Sequence, residues 1–514
     1  MKAFQGVGAA LASLCALLAF GIPVAAHAEW PHLSAPHLGD LRAFATPKYT
    51  LMTQDSGSAK LLAEELASLD NLLVTLLQRD LQPTGKPTFI YVMRAETWHP
   101  LLEKYDGAVF LPQRFANYIL VHDHQRGAPL RAYINGEYTR LLLHDQFRAQ
   151  YPLWFEEGLA RLMVLTSLGS GKAYVANPDR LVWENPTITN GVFSIDTGHP
   201  DVIPLEIFMK VDATAYAKFD ELTRYTYYRQ SSSMVYRNFI ADNERRAQLL
   251  AYLKAYDALK PLETAVQEGF GMSVEQLERT MRNTPRTHKD SVKVVFAAAT
   301  TDQLEKPRVV DETESLITLA RALLESPDDG AAVDTLLDQA AALSPRSIEV
   351  RTLRLHRCAT RGDDAALMRE FEALEPALKD PGVARAVGLA FVERIREAPA
   401  PAEFRERAYA LLDRSLTAQP DDAEAAWGFG IVAAQLNRQL LPAERRLKRA
   451  DELVPRSADL AMAKALVYEA MGQAEPMLTS LIGVVKLSRQ PTQRLWAATR
   501  LDALRSAARA DTNP

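Results

Sequence analysis

Residues 134–163 read INGEYTRLLLHDQFRAQYPLWFEEGLARLM, and this stretch decides how the front half of the chain folds. Helical spacing predicts one helix over 130–148 and a second over 154–168. On the first helix, residues at offsets of four, seven and eleven from the first of them share one face: Tyr133, Glu137, Arg140 and His144. That face carries the charged residues on which the functional interpretation depends.

The surrounding segments predict a mixed α/β front half. The predicted strands are 48–53, 87–93 and 118–122. An amphipathic helix is predicted over 59–81, and several helices from 205 to 281. The last of these begins at Ser273, with Gln276 three residues later as a capping partner. The stretch 283–313 is rich in Pro, Thr, Lys and Asp, which indicates a boundary.

Beyond residue 312 the sequence turns to Ala, Leu, Arg, Glu and Asp at helical spacing, and prolines mark a repeat. The prolines stand at 345, 381, 420, 455 and 491, in steps of 36, 39, 35 and 36 residues. This spacing is close to the period of about 34 residues in tetratricopeptide repeats, whose units are helix pairs. The units ending at Pro345, Pro420 and Pro455 fit this pattern well, and the other two are degenerate. The alternative is an irregular helical bundle.

The opening stretch resembles the gluzincin-type metallopeptidases of the peptidase-MA-like group, in particular secreted bacterial members that carry tetratricopeptide repeats. Those have H-E-x-x-H on one helix and W-F-x-E-G-L-A on the next, and residues 154–160 here read W-F-E-E-G-L-A. Residues 228–231 (Y-R-Q-S) and 270–273 (F-G-M-S) resemble two later elements of the group. The resemblance covers residues 46–283. It implies an α+β gluzincin-like metallopeptidase domain, a small sheet plus helices, followed by an all-α tetratricopeptide-type helical-repeat domain.

Aligned on that motif, the chain lacks both zinc-binding histidines. Gly136 and Arg140 stand in their places, while Glu137 matches the general base and Glu157 the third ligand. Intact relatives are expected to bind zinc through two histidines and a glutamate. Glycine offers no donor, and a guanidinium, which stays charged, repels a dication. We therefore expect no metal and no other cofactor in this chain.

Arg140 also suggests what replaces the metal. We expect its guanidinium near the vacated zinc position, paired with Glu157 and also with Glu137, because buried carboxylates require a positive charge. The alternative is an exposed Glu137–Arg140 pair worth roughly a few tenths of a kcal/mol. Tyr228 is a further candidate cleft residue, although a tyrosine among Tyr225, Tyr227 and Tyr236 is more often a packing residue.

Other histidines leave a rival interpretation open. His122 and His124 share one face at the end of a predicted strand, and His144 lies one turn beyond Arg140. An active zinc metallopeptidase with relocated ligands is therefore the alternative function. Residues 169–172 lack the pattern of a phosphate-binding loop, and the serines at 231–233 do not form a G-x-S-x-G elbow.

The first 28 residues predict an export signal, with Lys2, an apolar run over 7–20, and the cleavage pattern Ala26-His27-Ala28. The predicted organisation is a signal peptide over 1–28, a metallopeptidase-like domain over 29–285, a linker over 286–311, and repeats over 312–510. We expect the mature protein to be periplasmic or secreted, soluble, and without a membrane span, because no later segment is apolar for long enough.

Charge and composition narrow the partners. The 514 residues carry a formal net charge of -5 without any block of like charges, which gives no reason to expect nucleic acid as a partner. The sequence therefore predicts a catalytically degenerate peptidase, a pseudopeptidase, that binds protein or peptide through its repeat surface and inactive cleft. It identifies neither the particular protein or peptide that is bound nor the oligomeric state.

Overall fold

A computed structural model of the chain describes the front part from residue 41 and nearly all of the repeats. The described residues are 41–82, 85–94, 102, 107–123, 128–147, 149–179, 187–189, 192–194, 202–283, 290–299, 304–326, 329–397, 399–488 and 490–511. The predicted signal peptide over 1–28 and the candidate ligand His124 lie outside these ranges.

A six-stranded mixed sheet organises the front part. Its strands are β1 (Arg42–Ala45), β2 (Thr50–Thr53), β3 (Thr88–Met93), β4 (Ala108–Pro112), β5 (Asn117–His122) and β11 (Arg308–Val309). They lie in the order β11-β1-β2-β3-β5-β4. The β2–β3 and β3–β5 pairs are parallel, and the others are antiparallel. All six residues of β5 are buried, as expected for a strand with both faces covered.

The two faces of this sheet carry different helices. Alternate residues of β5 separate between them, with Ile119 and Val121 packing on one side and Tyr118 and Leu120 on the other. The first side is covered by α1 (Ser56–Leu77) and α2 (Ala128–Leu141). The second side is covered by α10 (Glu312–Leu323) and α11 (Gly330–Leu343), the first helix pair of the predicted repeats. The sheet is therefore the middle layer between the front helices and the repeats.

A second, three-stranded antiparallel sheet has the order β10-β7-β6. Its strands are β6 (Thr166–Gly169), β7 (Lys172–Ala176) and β10 (Ser291–Val295), and a separate ribbon pairs β8 (Thr187–Thr189) with β9 (Val192–Ser194). The helix predicted to reach residue 168 ends at Val164, because the chain turns into the β6–β7 hairpin. The tight turn of that hairpin contains Gly171 at a φ of 70°, a backbone conformation that glycine adopts without steric cost.

The remaining front helices form a compact group behind the sheet. They are α3 (Leu153–Val164), α4 (Leu205–Lys210), α5 (Ala213–Ala217), α6 (Glu221–Val235), α7 (Asn243–Asp257), α8 (Leu262–Phe270) and α9 (Val274–Asn283). The start signal predicted for the last helix is present as a capping box. The Gln276 backbone N–H donates to Ser273 Oγ at 3.2 Å, and the Ser273 N–H donates to Gln276 Oε1 at 2.9 Å.

Residues 286–311, which the composition marks as a linker, contain two strands. β10 pairs along its length with β7, and β11 pairs with β1 at the edge of the main sheet. Both strands therefore return to the front part, whose core also includes Val294 and Phe296. Composition could not indicate this, because the partner strands lie more than a hundred residues away in the sequence.

Five helix pairs and a terminal helix follow in the described part of residues 312–511. After α10 and α11 come α12 (Ile348–Arg361), α13 (Asp364–Leu374), α14 (Pro381–Glu397), α15 (Ala402–Ala418), α16 (Ala423–Leu436), α17 (Leu440–Leu453), α18 (Ala458–Ala470), α19 (Ala474–Leu487) and α20 (Pro491–Asp511). The predicted helix pairs are confirmed, and the two degenerate units form pairs as well. Among the described residues, no helix combines the length and the apolar character needed to cross a membrane.

The prolines play two different parts in these pairs. Pro345, Pro420 and Pro455 each follow the end of a second helix, as the repeat pattern predicts. Pro381 and Pro491 instead stand at the first residue of the next helix, where the missing N–H costs nothing because that donor has no partner inside the helix. In the two degenerate units the proline therefore keeps the spacing of the repeat, but it stands at the start of the next helix instead of after the second helix.

Candidate functional site

The helices of the opening stretch are held in place by an aromatic core. Trp154 and Phe155, at the start of α3, are fully buried. Their rings contact aromatic side chains of the neighbouring helices, namely Phe208, Phe239 and Tyr252. These two residues of the motif are therefore structural. Their packing holds α3 in the orientation in which Glu157, two residues after Phe155, faces α2.

Arg140 joins the two acidic positions of the motif. Its Nη2 donates to Glu157 Oε2 at 2.7 Å, and its Nε lies 3.3 Å from Glu157 Oε1, so the guanidinium is held in a two-point contact. Its Nη1 donates to Glu137 Oε1. The side chains of Arg140, Glu137 and Glu157 are only 24%, 13% and 12% exposed. The expected pairing is present, and the exposed-pair alternative is wrong. We call these three residues the Arg140 cluster.

The second oxygen of Glu137 is also occupied, by a backbone group that the sequence did not indicate. The Phe110 N–H, in β4, donates to Glu137 Oε2 at 2.9 Å. Hydrogen bonds from the His122 N–H to Gly107 O and from the Gln113 N–H to Ala116 O frame the β4–β5 pair. Backbone N–H groups along β4 point alternately toward β5 and away from it. These two hydrogen bonds therefore place the N–H of Phe110 on the side away from β5, at the free edge of the sheet. Glu137 therefore caps a donor of the outermost strand.

The electrostatics of the cluster follow from burial and pairing. Burial raises the pKa of Glu137 above its usual range, and the neighbouring charge of Glu157 raises it further, while Arg140 and the Phe110 N–H act in the opposite direction. The pKa of Arg140 lies well above its usual value because the two carboxylates outweigh the effect of burial. The arginine is therefore a fixed cation at this position.

Tyr228 lies beside the cluster on α6. Burial raises the pKa of its hydroxyl, and the carboxylate of Glu157 raises it further. Its ring packs edge-on against Tyr216 at a centroid distance of 5.6 Å. Two residues later in the same element, Gln230 accepts from the Ile203 N–H at 3.1 Å and donates to Ile203 O at 2.9 Å. The position of Tyr228 is therefore fixed by packing, and a role for it in the cleft stays a prediction.

The residues at the family's zinc positions do not fit a zinc ion. Gly136 has no donor atom, and a Cβ built on it would lie 2.8 Å from Val164 Cγ2 and 3.4 Å from Ala160 O. A histidine at this position would therefore press against α3. At the second ligand position the guanidinium of Arg140 pairs with the carboxylate that would be the third ligand. No step of chemistry through zinc can be assigned to this arrangement.

Two histidines of the rival interpretation, His122 and His144, lie within the described ranges. His122 is 1% exposed within β5, and the His144 ring packs edge-on against Phe110 at 5.7 Å. Within the described ranges, no three His, Cys, Asp or Glu side chains lie close enough together to hold a metal ion.

The second predicted binding region is the repeat surface. The first helices of successive pairs, α12, α14, α16 and α18, pack side by side. We call the surface that they form the first-helix face. The turn between β4 and β5, residues 113–116, lies against this face. A cavity of about 1260 Å³ opens beside it, between the main sheet and the repeats.

We expect His356 of α12, which lines this cavity, to make the repeats sensitive to acid. Burial lowers the pKa of His356 to about 4, against 6.5 in an unfolded chain, and the charge of Arg114 adds to this effect, whereas Glu393 opposes it. Between these two pH values the unfolded chain binds a proton that the folded chain does not, so stability falls as the pH falls. We expect His356→Gln to reduce the loss of unfolding free energy between pH 7 and pH 4.5 by about 2 kcal/mol. Urea titrations at both pH values test this, and parallel losses in the two proteins would contradict it.

No protein-family model matches the sequence, and no curated protein matches it. Solved structures of TPR proteins resemble the helical repeat region. A thermophilic TPR protein of Thermus thermophilus is 19% identical over 37% of this chain and 98% of its own, with a TM-score of 0.31. PilW, a widely conserved type IV pilus biogenesis factor, is 15% identical over 40% and 95%, with a TM-score of 0.30. YrrB, a TPR protein with an unusual peptide-binding site, is 18% identical over 37% and 92%, with a TM-score of 0.26. Scores of this size add nothing to what the helix pairs themselves establish.

Proposed function

We propose that this chain is an exported, catalytically degenerate metallopeptidase-like protein, a pseudopeptidase, that binds protein or peptide through its cleft and its repeats. By cleft we mean the free edge of β4 beside the Arg140 cluster. The observation that carries the proposal is the guanidinium of Arg140, held by Glu137 and Glu157. In intact relatives of the resembled group, a zinc ion would stand between equivalent groups.

The state of Glu137 supports the loss of catalysis. A general base must offer a free oxygen to the water or hydroxyl that it deprotonates. One oxygen of Glu137 accepts from Arg140 and the other accepts from the Phe110 N–H. Both carboxylate oxygens of the residue at the general-base position thus already accept a hydrogen bond.

The edge strand supports the retained binding. β4 is the outermost strand on its side of the sheet, and the alternation that turns the Phe110 N–H outward also turns out the N–H of Ala108. Pro112, at the end of the strand, has no N–H. An extended polypeptide can add to such an edge through main-chain hydrogen bonds, with no contribution from a metal.

A joint measurement of metal content and peptide binding on the purified full chain tests this function. We expect zinc well below one equivalent after dialysis against zinc, no hydrolysis of labelled unstructured peptides, and measurable binding of the same peptides. Ala108→Pro, which removes the outward N–H, should weaken this binding at least tenfold.

Ala108→Ser, which keeps the N–H, is the matched control and should bind as the wild type does. Stoichiometric zinc that disappears in Glu157→Gln would instead establish the active zinc peptidase with relocated ligands. Peptide binding that is equal in the proline and serine variants would remove the edge strand from the binding site.

A further inference from the structure

The first-helix face holds a segment of the chain's own front part. Arg114, at the tip of the β4–β5 turn, reaches residues from three successive repeat units. Its Nη1 donates to Glu393 of α14, and its Nε lies 3.3 Å from an oxygen of Asp459 of α18. Its guanidinium carbon stands 3.9 Å from the ring centroid of Trp427, of α16. A single side chain thus spans three first helices.

The neighbours of Arg114 complete the fit. The Phe115 ring packs edge-on against the same indole, at a centroid distance of 6.1 Å and an angle of 65°. Gln113 Nε2 donates to Ala322 O at 2.7 Å, and the Arg114 backbone N–H donates to Glu325 Oε2 at 3.2 Å. The repeats therefore contact both the side chains and the main chain of the turn.

The pocket around Arg114 is built for a cation. The side chains of Arg114, Glu393 and Asp459 are 15%, 11% and 16% exposed, so the charges are largely removed from water. Burial alone would raise the pKa of Glu393, but Arg114 and Arg396 hold it below its usual range. The carboxylate is thus ionised and depends on the cations beside it. Without Arg114, Arg396 would remain beside Glu393 and the indole, and it would face the three acidic groups Glu393, Asp459 and Glu325.

Two kinds of contact join the front part to the repeats, and they differ in how readily they can open. The contact of the sheet with α10 and α11 is a continuous apolar core. The contact of the turn with α14, α16 and α18 is made by a few polar and aromatic side chains at the rim of the open cavity. A charged group from another polypeptide can take the place of the charged group in a contact of this kind. A continuous apolar core, in contrast, would have to separate as a whole.

We propose that Glu393, Asp459 and Trp427 form an arginine-binding pocket that Arg114 fills in cis, and that an arginine followed by an aromatic residue in a partner polypeptide competes for it. The inference rests on the proposed function and names the chemistry of the polypeptide that the repeats take. The planar guanidinium is essential, because it pairs with a carboxylate and stacks on the indole at the same time. The adjoining cavity of about 1260 Å³ gives room for the rest of the partner segment.

A peptide copy of the turn tests the pocket. The probe is a fluorescent peptide of residues 111–117, LPQRFAN, titrated into the full chain and followed by anisotropy. We expect Arg114→Ala to bind it at least tenfold more tightly than the wild type, whose pocket is already filled. A peptide with lysine in place of arginine should bind the variant at least tenfold more weakly. Adding Glu393→Gln and Asp459→Asn to the variant should abolish the difference between the two peptides.

Arg114→Gln, which keeps a longer polar side chain than alanine but no guanidinium, serves as a second variant if the alanine variant fails to fold. Hydrogen exchange on the wild type needs no variant at all. Excess peptide should speed the exchange of the Arg114 amide, whose N–H donates to Glu325 of the repeats. Equal affinities of wild type and variants, equal binding of the arginine and lysine peptides, or unchanged exchange at high peptide concentration would each overturn the pocket.

The Ala108 variants separate this inference from the proposed function. Failure of the turn peptide to bind, while the difference between Ala108→Pro and Ala108→Ser persists, would remove only the arginine pocket. Loss of that difference, while the turn peptide still binds Arg114→Ala, would remove only the cleft.

Discussion

Arg140→Met is expected to destabilise the front part by about 3 kcal/mol at neutral pH, because breaking a buried ion pair leaves its partners uncompensated. In the variant, Glu137 and Glu157 would face each other without the cation that lies between them. Methionine retains much of the volume of the arginine stem, so the loss reports charge rather than a cavity. Urea unfolding monitored by tryptophan fluorescence provides the free energy.

The same variant has a distinctive pH dependence. Burial already raises the pKa of Glu137 in the wild type, where Arg140 acts against the shift. Without Arg140 the pKa rises further, so Glu137 takes up a proton more readily in the folded state than in the unfolded chain. Protonation removes one of the two negative charges that repel each other. The difference in unfolding free energy between variant and wild type should therefore narrow as the pH falls from 7 to 5.

Two further variants control this result. Adding Glu137→Gln to Arg140→Met should recover part of the lost stability, because it removes one uncompensated charge. Arg282→Met removes an exposed partner of Glu278, with the arginine side chain 65% exposed, and should change stability by less than about 0.5 kcal/mol. A loss in Arg140→Met that does not exceed that of Arg282→Met would mean that the Arg140 cluster is not buried as described.

Gly158→Ala should cost about 3 kcal/mol, because the added methyl group has no room. Gly158 is the glycine of the W-F-E-E-G-L-A segment on α3. A Cβ at this position would lie 2.5 Å from Ser231 O and 2.7 Å from the Ser231 carbonyl carbon. These are backbone atoms of α6, so the two helices must separate. Because α6 also carries Tyr228, the separation should move that tyrosine away from Glu157.

Gly57→Ala is the matched control for this substitution. Gly57 also stands in a helix, in the first turn of α1, and the nearest atoms to its added Cβ belong to the Asp55 carboxylate, at 3.5 Å or more. Alanine there should be neutral or slightly stabilising, because it restricts the unfolded chain. Thermal unfolding of both variants provides the comparison, and equal midpoints for the two would show that α3 and α6 are not in close contact.

The cluster as a whole holds a cation that is part of the chain, where the resembled group is expected to bind a metal ion. A metal ion must be acquired, and its affinity depends on ligands that can deprotonate. The guanidinium of Arg140 is part of the chain and stays charged at all working pH values. Its two-point contact with Glu157 holds α2 and α3 in the relation that the motif requires. The position is thus occupied by a structural ion pair.

Much of the site could be predicted because it is local. Glu137, Arg140 and Glu157 lie within 21 residues of one another in the sequence, on two helices whose relation is fixed by the buried Trp154 and Phe155. Helical geometry places the first two on one face, and the motif supplies the third. The contact with Phe110 was missed because β4 is short, ends in proline, and gains its identity only by pairing with β5.

The sequence by itself determined the helix pairs of the repeats, the absence of H-E-x-x-H before the W-F-E-E-G-L-A segment, and the fixed charge of Arg140 one helix before Glu157. These depend on periodicity and side-chain chemistry, which are written along the chain. Only the tertiary structure decided that β10 and β11 complete the two front sheets, that the first repeat pair covers the main sheet, and that Arg114 enters the first-helix face. The pairs Arg114–Glu393 and Arg114–Asp459 join residues that are hundreds of positions apart, and no local pattern encodes such a contact. Desolvation and charge pairing select it only after both parts have folded.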